Sequence, residues 1–300
     1  MRMFAINLLL MMVLVSCNKT EPTPENRNQH RLFYDEEVLA QLKDRRIDEA
    51  SGIAESLRYP GHFWVHNDSG DEARIFLINR QGETVVTLML QGITHRDWED
   101  IATGQGVEQG ESYIYVGEIG DNSAQHTYKN IYRLKEPVLV NLNKGQNVLS
   151  EKVETITFRY IDGNRNAETL MIDSQTKDIY IVSKREERVQ VYLLEYPQTL
   201  TDTLVVPVVQ TLPYTRVTAG DISADGTEIL LKTLNSVYYW KRNSTETISD
   251  ALGRQAEYLP YFLEPQGEAI AWLKDGSGYI TVSEMSNANV IPILYFYRRK

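Results

Sequence analysis

The sequence predicts an all-β protein with the β-propeller fold, built from five four-stranded blades. Three observations support this class: a short acidic phrase recurs five times, each copy precedes similar strand-forming runs, and no long amphipathic helix interrupts those runs. Recurrence with a period near 50 residues is typical of propellers and solenoids. Four strands in each repeat indicate a propeller blade. Six blades are the alternative, because one interval between copies is longer than the rest.

The recurring phrase is predicted to begin the innermost strand of each blade. Its copies are EASGIA at 49–54, WEDIA at 98–102, AETLM at 167–171, AGDIS at 219–223 and GEAIA at 267–271. Measured at Gly52, Asp100, Thr169, Asp221 and Ala269, the intervals are 48, 69, 52 and 48 residues. The long interval contains residues 138–150, which the repeat leaves unassigned and which leave room for a sixth blade.

Runs rich in β-branched and aromatic residues follow each copy. The predicted second strands are FWVHND, YIYVGE, IYIVSK, EILLKT and YITVSE, and the third strands are RIFLIN, NIYRLK, VQVYLL, SVYYWK and ILYFYR. Fourth strands close the first four repeats: TVVTLML, VETITFRY, LVVPVVQ and AEYLPYF. Such runs, some of them joined by Asp-Gly turns, predict antiparallel strands.

The fifth repeat has only three predicted strands before Lys300, so its outer strand has to come from elsewhere. The segment RLFYD at 31–35 is predicted to supply that strand. This closure would tie the two ends of the ring together and cover a free sheet edge. The one helical pattern after the N-terminal region is a short one at 35–43.

The first 17 residues, MRMFAINLLLMMVLVSC, combine one arginine with an apolar run. This is the pattern of an export signal, and the run is shorter than the roughly 20 residues of a membrane span. Its ending resembles a bacterial lipobox, which implies cleavage before Cys17 and lipidation of that cysteine. We therefore expect a membrane-anchored lipoprotein of the bacterial periplasm or outer membrane, with a flexible tether at 18–30 and a propeller domain at 31–300. The alternative is a plain signal peptide in which Cys17 is incidental.

The overall charge and the cysteine content limit the classes of function. The chain carries 31 Lys and Arg residues against 41 Asp and Glu residues, a net charge of −10. Nucleic acid is bound by basic faces, and the sequence shows none, so no nucleic-acid partner is expected. Cys17 is the single cysteine, which excludes a disulfide framework within the chain. The acidic balance suits a cationic ligand, or it serves solubility.

Blade geometry predicts where the acidic side chains of the repeats meet. The innermost strand runs antiparallel to the second strand, so its start and the end of the second strand lie at the same mouth of the channel. The residues expected there are Asp68, Glu99, Asp100, Glu118, Glu168, Asp221, Glu268 and Glu284, beside Lys184 and, in the fourth repeat, Lys232 or Thr233. Crowded carboxylates repel one another and need protons, a lysine or a metal ion.

A hard divalent cation, Ca²⁺ above all, suits such a ring, because calcium takes roughly six to eight oxygen ligands. The loop after the second strand of repeat two adds further oxygens, including Asp121. The predicted metal ligands are Asp68, Glu99, Glu118, Asp121, Glu168 and Glu268. The alternative is architectural: the acids accept hydrogen bonds from backbone amides and brace neighbouring blades.

Two further groups are candidates for chemistry at the mouth. Glu118 or His66 is a candidate general base that would accept a proton from a metal-activated water. Lys184, Arg185 and Asn122 are candidates to bind a small-molecule substrate, with the two cations meeting an anionic group. The alternative for the cations is that they balance the acids. The sequence contains no GxSxG motif that would indicate a serine triad.

Eight motifs together resemble a known group of proteins: FWVHNDSG, DWEDIATG, YIYVGEIGDN, IYRLKEP, AETLMID, IYIVSKRE, TAGDIS and QGEAIAW. The resemblance is to bacterial secreted β-propeller lipoproteins related to the esterase-like-phytase and SdiA-regulated propellers, and more distantly to gluconolactonase-type propellers. It covers about residues 47–285 and implies the fold. It also implies a channel-bound divalent ion near Glu99, Glu168 and Glu268, and hydrolysis of small esters, lactones or phosphoesters. A protein- or glycan-binding module, and a scaffold without a ligand, are the alternatives.

Overall fold

The structure, a computed structural model, describes residues 32–142, 145–285 and 291–300. The predicted signal peptide, the predicted lipidation site Cys17 and the predicted tether lie outside these residues. Within the described residues, no helix combines the length and the apolar character that a membrane crossing requires.

Strands make up nearly all of the regular secondary structure in the described part of the chain. In chain order they are β1 (Glu37–Gln41), β2 (Ala50–Glu55), β3 (His62–Asn67), β4 (Arg74–Asn79), β5 (Thr84–Met89), β6 (Asp100–Gln105), β7 (Ser112–Glu118), β8 (Lys129–Lys135), β9 (Gln146–Leu149), β10 (Val153–Tyr160), β11 (Ala167–Ile172), β12 (Ile179–Ser183), β13 (Gln190–Leu194), β14 (Leu204–Val206), β15 (Val208–Thr211), β16 (Val217–Ile222), β17 (Glu228–Thr233), β18 (Val237–Lys241), β19 (Glu257–Leu259), β20 (Gly267–Trp272), β21 (Gly278–Ser283) and β22 (Ile293–Arg298). One short helix, α1 (Ile248–Leu252), lies between β18 and β19.

The strands form five blades around a central channel, which confirms the predicted five-bladed propeller. Blade 1 contains β2 to β5, blade 2 contains β6, β7, β8 and β10, and blade 3 contains β11, β12, β13 and β15. Blade 4 contains β16 to β19, and blade 5 contains β20, β21, β22 and β1. The innermost strands, which are β2, β6, β11, β16 and β20, contact one another in ring order.

Two blades carry a fifth strand, and these extra strands account for sequence that the repeat leaves over. β9 pairs in parallel with β5, so the described residues of the unassigned segment add a strand to blade 1 and do not form a sixth blade. The run LVVPVVQ divides at Pro207: β14 joins blade 2 in parallel with β10, and β15 is the outer strand of blade 3. Proline lacks the N–H group that an uninterrupted strand needs, so the division falls there.

The N-terminal side closes the ring, as predicted, but through a later segment than expected. β1 pairs antiparallel with β22, whereas Phe33 forms only an isolated bridge to Arg299. Residues 37–41 are therefore a strand, although the pattern at 35–43 resembles a helix. Leu39 packs against the core between blades 5 and 1, and the pairing covers the edge of β22, so tertiary contacts override the local preference.

Apolar side chains fill the five spaces between neighbouring blades. Each space holds one buried cluster, and the cluster between blades 5 and 1 joins Phe63 and Phe76 to Ile280 and Leu294. Burial of this surface is the main favourable term in folding. The helix α1, which the sequence pattern does not predict, packs Ile248 into the cluster between blades 3 and 4. At five residues it is too short to show a helical period.

Candidate cation site at the channel mouth

The strand register defines two rings of positions at one mouth of the channel. The first ring lies at the start of the innermost strands; in blade order it contains Ser51, Glu99, Glu168, Thr218 and Glu268. The second ring follows the ends of the second strands and contains Asp68, Ile119, Lys184, Leu234 and Glu284. Hydrogen bonds link the first ring between blades, since Ser51 Oγ donates to Glu99 O at 2.7 Å.

Three carboxylates of blades 1 and 2 lie close together at this mouth and form what we call the acidic triad: Asp68, Asp97 and Glu99. One oxygen from each residue lies within 4.8 Å of the other two. Gly120 leaves the space for them, because a Cβ there would lie 2.3 Å from Glu99 Oε1 and 2.5 Å from Asp97 Oδ2. Within the described part of the chain, no Lys, Arg or His side chain forms an ion pair with the triad.

Burial raises the pKa values of all three carboxyls of the triad, and nearby acids add to the effect. Burial, followed by the charge of Asp97, raises the pKa of Asp68 to about 7. Burial raises the pKa of Glu99 well above its usual range, and the charges of Glu168 and Asp68 add to this effect. Burial also raises the pKa of Asp97. A divalent cation would stabilise the ionised forms of these carboxyls and reverse the shifts.

Lys184 neutralises the other side of the mouth, in an arrangement that we call the lysine clamp: Lys184, Glu168 and Glu268. The ammonium group forms ion pairs with Glu168 Oε2 and, at 3.2 Å, with Glu268 Oε1. Burial would lower the pKa of Lys184, but the two glutamates raise it above its usual value. Burial raises the pKa of Glu168 to about 8 in spite of the lysine. The lysine therefore balances acids, which was the alternative to a role in ligand binding.

Asp97 belongs to the acidic triad, although the sequence analysis does not include it among the predicted ligands. It lies two residues before Glu99, and its carbonyl accepts a hydrogen bond from Gly120 N at 3.3 Å. Side chains two positions apart on an extended chain face the same side. Trp98, between the two acids, is fully buried. The order Asp-Trp-Glu was therefore the pattern that could have identified Asp97.

The structure corrects the position predicted for Glu118. In blade 2 the second ring is occupied by Ile119, so Glu118 lies one residue earlier on β7 and its side chain faces the other way. Its carboxylate accepts hydrogen bonds from Tyr132 Oη at 2.9 Å and Asn130 Nδ2 at 3.1 Å. Arg96 Nη2 lies 3.4 Å from Glu118 Oε1. The structure therefore does not bring Glu118 to the acidic triad.

Asp221 also lies outside the first ring, because Thr218 is the residue of blade 4 that occupies it. Asp221 Oδ2 accepts a hydrogen bond from Trp272 N of blade 5 at 2.8 Å. Asp100 has the same role at the junction of blades 2 and 3, where its Oδ2 accepts a hydrogen bond from Leu170 N at 2.8 Å. We call Asp100 and Asp221 the brace aspartates. These two aspartates have the structural role that was the alternative to metal binding, because they connect the innermost strands of neighbouring blades.

His66 and Asp121 are likewise held away from the acidic triad. The His66 ring is fully buried, and its Nδ1 lies 2.7 Å from Asn67 O. Burial lowers the pKa of His66 to about 4. Asp121 forms a buried ion pair with Lys129, whose Nζ lies 2.9 Å from Asp121 Oδ2. The sequence analysis expects His66 and Asp121 at the open mouth, as a base and a metal ligand, whereas the structure shows both in buried contacts.

Asn122 and Arg185 lie next to the residues of the lysine clamp. Arg185 Nη2 donates a hydrogen bond to Asn122 Oδ1, and Asn166 Nδ2 donates to the same oxygen at 3.3 Å. Asn166 Nδ2 also donates to Glu168 Oε1 at 3.1 Å. Arg185 is exposed, whereas Lys184 is held by its ion pairs. Arg185 is therefore better placed than Lys184 to meet an anionic group from solution.

The fold and the mouth define the chain as a β-propeller with an acidic channel opening. Comparison of its sequence with protein-family models and with curated proteins gives no match. The resemblance to the esterase-like-phytase and SdiA-regulated propellers, and the hydrolysis that it implies, stay predictions from the motifs. The geometry of the mouth is therefore the observation that bears on function.

Proposed function

We propose that this protein is an exported, lipid-anchored β-propeller that binds a divalent cation, Ca²⁺, at the acidic mouth of its channel. The acidic triad is the observation that supports this most directly, because its oxygens lie within 4.8 Å of one another and form no ion pair with a described Lys, Arg or His side chain. Carboxylates at this spacing repel one another unless a proton or a cation lies among them.

The chemistry of the triad favours a hard cation. Zinc and copper prefer nitrogen and sulfur ligands, and the triad offers carboxylate oxygens alone. Calcium takes roughly six to eight oxygen ligands at about 2.3–2.6 Å and tolerates irregular geometry. Asp68, Asp97 and Glu99 would supply part of that shell, and water would complete it. Ion binding would release protons, because the pKa values of these carboxyls are raised.

Direct measurement of bound metal tests the proposal. Purified protein, stripped with a chelator and then dialysed against calcium, should retain about one calcium ion per chain by elemental analysis. The double variant Asp97→Asn/Glu99→Gln should retain none. Glu257→Gln removes an exposed carboxylate from β19 and serves as the control, which should bind calcium like the wild type. Wild-type protein that binds no divalent cation contradicts the proposal.

A bound cation would also supply chemistry to a small ligand at the mouth. It would polarise an oxygen of the ligand, while Arg185 offers a positive charge that is open to solvent. Esters, lactones and phosphoesters with an anionic group suit this pair. Their hydrolysis, measured with chromogenic substrates, should require calcium and should be lost in Asp97→Asn/Glu99→Gln. Calcium-dependent binding without turnover would instead indicate the non-enzymatic module.

The lipid anchor is tested separately. Cys17→Ser should abolish incorporation of labelled palmitate and shift the protein from the membrane fraction to the soluble fraction. Unchanged labelling in this variant would contradict lipidation at Cys17, and it would leave the metal proposal untouched because the propeller itself is unaltered.

A further inference from the structure

Lys184 departs from the charge pattern of the second ring. That ring carries an acid in blade 1, Asp68, and an acid in blade 5, Glu284, whereas blades 2 and 4 contribute Ile119 and Leu234. Lys184 is therefore the one cation among the ten ring positions, all of which the structure describes. The other four blades have an apolar or a negatively charged residue at this position.

The ammonium group lies between buried carboxylates that come from different blades. Glu168 of blade 3 is 2% exposed, and Glu268 of blade 5 is 7% exposed. Lys184 Nζ pairs with Glu168 Oε2 and lies 3.2 Å from Glu268 Oε1. Blade 4, between them, contributes the uncharged Thr218 and Leu234 to the rings, whereas its buried Lys232 donates a hydrogen bond to Gly267 O, next to Glu268. Lys184 thus forms ion pairs with glutamates of two blades that are not neighbours in the ring.

A cation is therefore already present in this half of the mouth, and it belongs to the protein. The carboxylate of Glu168 is fixed by Asn166, whose Nδ2 donates to its Oε1 at 3.1 Å. Glu284 is a further acid of blade 5 at the same mouth, and the charge of Glu268 is the largest source of the repulsion that acts on it. Three carboxylates thus share this half, as three form the acidic triad, and an ammonium ion and a divalent cation are alternative partners for such a group.

We infer that Lys184 serves as an internal cation that fills this half of the mouth and limits the protein to a single bound divalent ion. The expected number of one calcium ion per chain rests on the proposed function, because it assumes that the acidic triad binds calcium. The role of Lys184 does not depend on that site. The Lys184 ammonium group carries the positive charge that a second calcium ion would otherwise provide to Glu168 and Glu268. Removal of that charge should therefore create a new calcium site on Glu168 and Glu268.

Calcium stoichiometry tests this inference. Lys184→Met keeps much of the apolar stem and removes the charge, and Lys184→Arg keeps the charge as a matched control. Equilibrium dialysis of the chelator-stripped full chain should give one ion for the wild type and for Lys184→Arg, and two ions for Lys184→Met. Adding Glu168→Gln to Lys184→Met should return the count to one. Unchanged stoichiometry in Lys184→Met overturns the inference.

The experiment separates this inference from the proposed function. If the wild type binds no calcium but Lys184→Met binds one ion that Glu168→Gln removes, the triad proposal fails and the role of Lys184 stands. Should Lys184→Met not fold in chelator, Lys184→Gln provides a second neutral variant, and folding on addition of calcium supports the inference. Neutral variants that stay unfolded in calcium overturn it, because a freed divalent site would restore the missing charge.

Discussion

Glu99 and Asp100 are adjacent and equally buried carboxylates with opposite surroundings. Asp100, 1% exposed, accepts hydrogen bonds from Ile101 N at 2.9 Å and from Leu170 N of the next blade at 2.8 Å. Glu99, 2% exposed, accepts none on its side chain from the described residues and faces Asp68, Asp97 and other acids. Burial alone therefore does not distinguish a structural acid from a functional one, whereas satisfaction of its oxygens does.

Removal of a brace aspartate should have the largest effect on stability. Asp100→Ala leaves Leu170 N without its acceptor inside the channel, and it should lower the free energy of unfolding by about 2–4 kcal/mol. Asp100→Asn keeps one carbonyl oxygen and should lose less. Urea unfolding measures both variants, and calcium binding should persist in each. An alanine variant as stable as the wild type would break the contrast with Glu99.

The pH dependence of stability should reveal the carboxyls of the mouth. Burial raises the folded-state pKa of Asp68 to about 7 and those of Glu168 and Glu284 to about 8, so the folded protein holds these protons more tightly than the unfolded chain. Their contribution to stability is complete below the unfolded values, near about 4, and is lost as pH rises through 7 and 8. In chelator, the free energy of unfolding should fall by at least about 1 kcal/mol between pH 6.5 and pH 8.

The range from pH 6.5 to pH 8 is chosen because, below it, His66 makes the free energy of unfolding rise with pH, which opposes the effect of the carboxyls. Burial lowers the pKa of His66 to about 4, so its contribution to stability rises with pH up to its unfolded value near about 6.5. Calcium should reduce the fall between pH 6.5 and pH 8, because the ion replaces the protons. A free energy of unfolding that stays constant or rises across the window in chelator would contradict the account of the mouth.

Much of the fold follows from the sequence, because the apolar pattern of each blade repeats. The run EILLKT, for example, coincides with β17 (Glu228–Thr233), and five copies of the acidic phrase give five blades. The closing strand is harder to place, since β1 owes its conformation to pairing with β22 and not to its own pattern. Contacts distant in sequence decide such an element.

The site requires the strand register to within one residue, and the sequence does not supply that accuracy. Side chains alternate between the two faces of a strand, so the one-residue difference between Glu118 and Ile119 turns the acid away from the mouth. The error for Asp221 is larger, because the ring position of blade 4 belongs to Thr218, three residues earlier on β16. Asp97 precedes the repeated phrase and was missed for that reason.

A smaller and more local effect is expected at Gly120. A Cβ there would lie 2.3 Å from Glu99 Oε1, so Gly120→Ala should displace the triad and weaken calcium binding by about tenfold. The free energy of unfolding in chelator should change by less than about 1 kcal/mol, because the substitution breaks no brace. Titration calorimetry measures the affinity, and unchanged affinity would show that the close approach of Gly120 does not position the triad.

The calcium response of stability in wild-type protein and in Asp97→Asn/Glu99→Gln tests the central claim most directly. At pH 8 in chelator, the double variant should be the more stable protein, because it lacks two of the repelling charges. Calcium at 100 times its Kd should stabilise the wild type by about 2.7 kcal/mol and leave the variant unchanged. Equal calcium responses in the two proteins, or no response in the wild type, would contradict a cation site at the acidic triad.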